Sequence, residues 1–200
     1  GPLFTVHFSF YARRDTALEL RSLEDAKRVG AIATYKDDVK EQLLRDLGFT
    51  NLDSSKSPVS NLKKLIAGRV DLWLFDNLGM PDVARKAGID PIELKRVLPF
   101  RTYQSYIAIS KPTAPAVVQR WRDALQSMVQ DGTFAAISRR WLPRESIPNA
   151  DDDIASTPDW PALSIYTEDS PPGNYLQDGR AEGFAVEIVR LLGAEADVVP

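Results

Sequence analysis

Three short stretches of this chain put polar groups where an apolar run ends. The first is Thr34-Tyr35-Lys36-Asp37, between a predicted strand and a predicted helix. Backbone N–H groups at such a turn, aided by the helix dipole, can receive a carboxylate; an ordinary capped helix start is the alternative. The second is Asp76-Asn77, directly after the run Val70 to Phe75, where an acid can also cap the helix that follows. The third is Glu168-Asp169 with Tyr166, Thr167 and Tyr175, in a loop bounded by Pro171-Pro172. Two adjacent acids act together only on a cation lying between them, and a solvated turn is the alternative. In open parallel sheets ligands sit beyond the carboxyl ends of strands, near helix N-termini, which makes these three stretches the candidates for holding a small polar molecule.

Other chemistries find little support. The chain has one histidine and no cysteine. Thiolate metal sites, thiol catalysis and disulfides are excluded, and a histidine-based metal site or catalytic triad is disfavoured. His7 alternates with an apolar stripe and reads as structural, with a cleft-lining role as the alternative. Trp73, Trp121 and Trp141 sit in apolar stripes and Trp160 precedes a strand, so core packing is their default. Basic pairs such as Arg13-Arg14, Lys63-Lys64 and Arg139-Arg140 suit solvated faces. No glycine-rich loop suited to cradling phosphate occurs. Asp71, inside an apolar run, reads as structural.

The elements that must position these residues follow from periodicity. Leu3 to Tyr11 alternates with Phe4, Val6, Phe8 and Phe10 on one face, as a half-buried strand does. Ser22 with Asp25 resembles a capping box before a strand over Arg28 to Thr34. Asp37 or Asp38 caps a helix striped by Val39, Leu43, Leu44 and Leu47, and Gly48 stands where a helix-ending glycine belongs. A strand over Phe49 to Leu52, a helix over Val59 to Ala67 closed by Gly68, and a buried strand over Val70 to Phe75 continue the alternation. Pro81 and Gly88 bound one more helix. Thr102 to Ser110 alternates as a strand. Helices then run from Pro115 to Gly132 and from Thr133 through Trp141. A strand over Ala162 to Thr167, a turn at Asp178-Gly179 and a helix through Phe184, Ile188, Leu191 and Leu192 end the chain. Strands alternating with helices of about ten residues predict an α/β fold, mainly parallel sheets with helices on both faces.

Composition agrees with a globular α/β protein. Apolar content is 44% and charge 26%, and two hundred residues bury a genuine core. No apolar run reaches the length of a membrane span. The net charge of −3 argues against nucleic-acid binding. It is unevenly spread: residues 1–150 hold 23 Lys+Arg against 17 Asp+Glu, and residues 151–200 hold 2 against 11. The seam coincides with Pro148-Asn149-Ala150-Asp151-Asp152-Asp153, which reads as a linker.

Several stretches resemble the type II periplasmic solute-binding proteins of the polar amino acid class, with the Venus flytrap fold. Tyr166-Thr167-Glu168-Asp169-Ser170-Pro171-Pro172-Gly173-Asn174-Tyr175, then Asp178-Gly179 and Gly183-Phe184-Ala185-Val186-Glu187-Ile188-Val189, look like that family's opening. Ala67-Gly68-Arg69-Val70-Asp71 with Asp76 looks like its second-lobe motif, Tyr103 to Lys111 like its returning hinge strand, and Asp131-Gly132-Thr133 with Ile137 and Trp141-Leu142 like its closing helices. The resemblance implies two lobes in circularly permuted or truncated order. Lobe 2 is 12–103, the hinge strands are 1–11 and 104–111, partial lobe 1 is 112–145 with 160–200, and 146–159 is a linker. Gly1-Pro2-Leu3-Phe4 resembles a turn just downstream of the family's arginine loop, which normally clamps the ligand carboxylate and has no counterpart here.

The function this implies is capture of a small, amino-acid-like solute in the cleft between two lobes, for ABC-type uptake in the periplasm. It implies no cofactor and no catalysis, with a membrane permease or receptor as partner. Thr34, Tyr35, Asp37, Asp76, Asn77, Tyr166, Glu168, Asp169 and Tyr175 are the expected ligand residues. Asp76 is the acid that family members often set against the ligand's ammonium group. A sensory Venus flytrap module of a membrane receptor is one alternative. A cyclohexadienyl-dehydratase-like lyase, with Glu168 as its acid or base, is another.

Overall fold

The computed structural model describes residues 2–109, 113–146 and 171–195. It divides into a unit of residues 7–102 and a unit of residues 1–6 with 103–200. The expected strand over Ala162 to Thr167 lies outside the described residues, as does the expected linker 146–159 except for Ser146, which is buried at the end of a 3-10 turn over Arg144–Ser146.

The 7–102 unit is built on a five-stranded sheet. Its elements in chain order are β1 (Phe4–Arg13), α1 (Leu23–Lys27), β2 (Ile32–Tyr35), α2 (Val39–Asp46), β3 (Leu52–Ser55), α3 (Pro58–Ile66), β4 (Leu72–Asp76), α4 (Met80–Ala87) and β5 (Leu94–Ser105). The strand order is β3-β2-β4-β1-β5. The βαβ portion, β3-β2-β4, is parallel, whereas β1 runs antiparallel to β4. Hydrogen bonds Leu3 N–H to Ser105 O and Arg14 N–H to Glu93 O, at opposite ends of the strand pair, set β5 antiparallel to β1. The sheet is therefore mixed.

Period-two alternation decides which residues go to which face. Tyr11, Ala33 and Trp73 join Leu62 and Leu65 of α3 and Val83 and Ala84 of α4 in one core. Their neighbours Phe10, Ala12, Ile32, Leu72 and Leu74 join Ala26 of α1 and Leu44 of α2 in another. Helices thus cover both faces, and β4 is buried on both. Each fully buried Leu or Phe contributes on the order of 1.5–3 kcal/mol, so these two cores are what fix the strand ends. Ser22, Asp38 and Ser57 cap α1, α2 and α3 with their side-chain oxygens. Gly68 ends α3 at φ 68°, where an added Cβ would lie 2.9 Å from the Arg13 guanidinium.

Three strands differ from the sequence expectation. β3 begins at Leu52 and not at Phe49. Phe49 is buried against Phe10 ahead of the strand, and Asn51 joins the two, its carbonyl accepting from Ile32 N–H at 2.8 Å while its side-chain amide donates to the Ala26 and Val29 carbonyls. β2 begins at Ile32 and not at Arg28, with the preceding Ala31 N–H taken by the Asp71 carboxylate at 3.1 Å. β5 starts at Leu94 and ends at Ser105, earlier than the expected 102–110. Pro99 disguises it. A proline, which has no N–H to donate, is tolerated here because β5 is an edge strand.

The other unit contains α5 (Pro115–Gln130), α6 (Thr133–Trp141), β6 (Tyr175–Gln177), β7 (Arg180–Glu182) and α7 (Phe184–Glu195). Asp178 and Gly179, both at positive φ, make the two-residue turn between β6 and β7. Phe184, Ile188 and Leu192 of α7 are buried, as are Trp121 and Met128 of α5 and Phe134 and Ile137 of α6. The Phe184 ring meets Phe134 and Phe4 edge-on, with centroids 6.0 and 5.6 Å apart. Glu187 of α7 accepts from Trp141 Nε1 at 2.6 Å and pairs with Arg140. Segment 171–195 is thus packed into the helices of 113–146.

Candidate functional site

The sheet brings the carboxyl ends of the neighbouring parallel strands β2 and β4 to the same edge of the 7–102 unit. Five expected ligand residues gather there: Thr34, Tyr35, Asp37, Asp76 and Asn77. Tyr175 belongs to the other unit, where it pairs with Glu182 and its ring meets Trp141 at 6.5 Å. Tyr166, Glu168 and Asp169 lie outside the described residues.

The β2–α2 turn is largely satisfied by the chain itself. Thr34 is buried; its hydroxyl shares a 3.2 Å hydrogen bond with Ser54, and its carbonyl accepts from the Asn61 amide at 2.8 Å. Tyr35 ends β2 with its ring part-exposed. Asp37 adopts φ 63°, and its exposed carboxylate stands 3.7 Å from Lys56. The Asp37 N–H donates to Glu41 Oε2 at 2.9 Å, Lys36 N–H donates to Ser55 O, Asp38 N–H to Tyr35 O, and Lys40 N–H to Asp38 Oδ1. These four amides are the donors that an incoming carboxylate would need. Each already has an acceptor within the chain, and for the Asp37 amide that acceptor is the Glu41 carboxylate.

Glu41 was not among the expected residues. It is buried and accepts from Ser54 Oγ and Arg45 at 2.5 Å each, besides the Asp37 amide. Burial pushes its carboxyl up, but the hydrogen bonds from Ser54, Arg45 and Asp37 outweigh burial and hold it below the usual range. The group borders an open hollow of about 580 Å³, lined also by Lys36, Asp37, Asp38, Arg45 and Ser54. The spacing Asp38-x-x-Glu41 is that of a capping box and was the available signal, although Glu41 reaches the Asp37 amide and not that of Asp38.

Asp76 ends β4. Its Oδ1 accepts from Gly79 N–H at 2.6 Å and from Leu78 N–H at 3.1 Å. Burial pushes this carboxyl above the usual range, against the opposing pull of the Gly79 amide and the Lys40 ammonium. Asn77 is buried and staples β1 to the end of β4: its Oδ1 accepts from His7 N–H at 3.0 Å, and its own N–H donates to His7 O at 3.1 Å. Lys40, the second residue missed from sequence, lies among these groups. Its ammonium is 2.6 Å from Asp38 Oδ2 and 4.6 Å from the centre of the Phe8 ring. Among the described residues no group of histidines and acids is arranged to hold a metal ion, and no helix is long and apolar enough to cross a membrane.

No family model and no curated protein matches the sequence. Solved structures do match the fold. A histidine kinase sensor domain with similarity to periplasmic binding proteins superposes with a TM-score of 0.55 at 21% identity, over 74% of this chain and 63% of that one. A mutant of the arginine-binding protein ArgBP from T. maritima gives 0.54 at 15% identity, over 70% and 59%. An ancestral arginine-binding protein bound to arginine gives 0.53 at 19% identity, over 71% and 62%. The chain spans 59 to 63% of the length of these structures. At such identities the likeness is one of fold: this chain has an α/β, periplasmic-binding-protein-like architecture.

Proposed function

We propose that the chain captures a small amino-acid-like solute without making or breaking bonds, taking the solute's cationic end at the carboxyl ends of β2 and β4. Asp76 is the acceptor. The observation that carries this is a half-buried carboxyl at a strand end beside the Lys40 charge, with the Leu78 and Gly79 amides converging on its Oδ1. Ionisable groups held against burial at a strand end are a mark of binding sites. The arginine-binding proteins of like fold support an amino-acid-like ligand. By the same analogy the solute is taken up in the periplasm and passed to a membrane permease. The reading treats 160–200 as part of the same lobe as 112–145, in permuted order, supported by Phe184 against Phe134 and Glu187 against Trp141.

The test is thermal unfolding of the chain against amino acids and polyamines at millimolar concentration. A ligand at about 100 times its Kd adds about 2.7 kcal/mol, on the order of 5–10 °C in midpoint for a chain this size. A cooperative transition that no compound moves would sink the reading. A second reading, a sensory module of a membrane receptor, draws on the likeness to the kinase sensor domain. It predicts that the ligand changes the output of an attached signalling domain, whereas the uptake reading predicts that loss of the protein abolishes transport of the labelled ligand.

A further inference from the structure

Lys40 stands in an unusual place for a lysine. It is in the first turn of α2, at the positive end of the helix dipole, where a cation is disfavoured. Its side chain is only 17% exposed, although a lysine head group ordinarily stays in water. Confining that side chain works against the rotamer entropy of a long, flexible stem. Two groups hold it, and a third lies near. Asp38 Oδ2 takes a 2.6 Å charge-assisted hydrogen bond. The Phe8 ring lies beneath the ammonium at 4.6 Å. Asp76, which stands opposite Phe8 in the β1–β4 register, feels its charge. Two carboxylates and one aromatic ring are what a primary ammonium ion selects.

We propose that Lys40 is a tethered stand-in for the ligand's ammonium group, and that a cationic ligand binds by displacing it from Asp38, Phe8 and the neighbourhood of Asp76. The inference rests on the reading of Asp76 as the ligand's cation acceptor. It adds a built-in competitor that sets affinity. The lysine stem is flexible and rooted in α2, so the ammonium can swing to solvent with no backbone change. A tethered competitor acts at an effective concentration in the millimolar range or above. Only ligands with further contacts outcompete it, while stray monoamines are turned away.

Chemical complementation tests this without knowledge of the natural ligand. Lys40→Ala removes three methylenes and the ammonium, and n-butylammonium chloride supplies an ammonium on a stem one carbon longer. The midpoint of Lys40→Ala is expected to rise with n-butylammonium beyond its response to equal sodium chloride, while the wild-type midpoint moves little. Equal shifts in both proteins, or none in the variant, overturn the proposal. A second measurement needs no variant. Reductive methylation of the wild-type chain, read by mass spectrometry, is expected to modify Lys40 on the order of tenfold more slowly than exposed Lys56. Equal rates overturn the cage. The two readings fail separately. Complementation by n-butylammonium in a chain that answers no amino acid or polyamine keeps the cage and removes the ligand reading. A ligand response in a chain whose Lys40 methylates freely does the reverse.

Discussion

At Asp76, burial disfavours the charged carboxylate while the Gly79 amide and the Lys40 ammonium favour it, and burial prevails. With the folded pKa above the unfolded one, the folded state holds the proton more tightly. The resulting stability is present at low pH and is lost as pH rises through the folded value. The charged carboxylate is thus the form that folding disfavours, an expense of stability of the kind that binding sites carry. Asp76→Asn retains an Oδ1 for both amides. Its unfolding midpoint at pH 7 is expected at or above wild type, by up to about 1 kcal/mol, with the ligand response gone. A destabilised variant that still responds would make Asp76 a helix cap alone. Glu41 has the opposite sign. Its folded pKa is depressed, so its stability is fully present above the unfolded pKa and is lost as pH falls through the folded one. Glu41→Gln is expected to lose about 1–3 kcal/mol at pH 7 and to flatten the acid limb of the stability curve, which urea titrations at a series of pH values would read.

Among the elements, α7 depends on one glycine and one acid. Gly183 stands at φ 118°, and a Cβ there would lie 2.6 Å from Gly173 O and 2.8 Å from Pro172 O. Those carbonyls accept from the first helical amides, Phe184 N–H to Pro172 O and Ala185 N–H to Gly173 O. Gly183→Ala is therefore expected to lose on the order of 1–3 kcal/mol, and Glu187→Ala a similar amount by stranding Trp141 Nε1. Hydrogen exchange should quicken over 184–195 in both variants while β2 and β4 keep their protection; unchanged exchange in α7 would contradict its docking. Helices proved readable from sequence because their signals are local: Ser22, Asp38, Gly68, Gly88 and Pro115 mark ends within a few residues. Strand limits were less so, since they depend on partners far along the chain, as the pairing of Ile32 to Tyr35 with Leu52 to Ser55 illustrates, or on edge position, as with Pro99. The site divides the same way. Asp76 was visible as the acid ending an apolar run. Lys40 and Glu41 were not, because Phe8, Ser54 and Asp76 reach them only once α2 packs against the sheet.

For the whole molecule, the likeness to periplasmic-binding-protein folds covers 70 to 74% of the chain, and Thr34, Tyr35, Asp37, Asp76 and Asn77 all lie in the 7–102 unit. That unit's α2 end already holds a resident anion, Glu41, and a resident cation, Lys40. A ligand there competes with the chain's own charges, so binding should weaken with rising salt only modestly, the groups being partly shielded from solvent. Calorimetric titration between low and physiological salt checks this, and a steep loss would point to an exposed site elsewhere. The most direct test of the account is an amide NMR spectrum of the ¹⁵N-labelled chain titrated with lysine, arginine and polyamines. The account predicts saturable shifts concentrated at Tyr35, Lys40, Leu78 and Gly79. Saturable shifts that leave these four amides untouched, or no saturable shift with any compound, would contradict it.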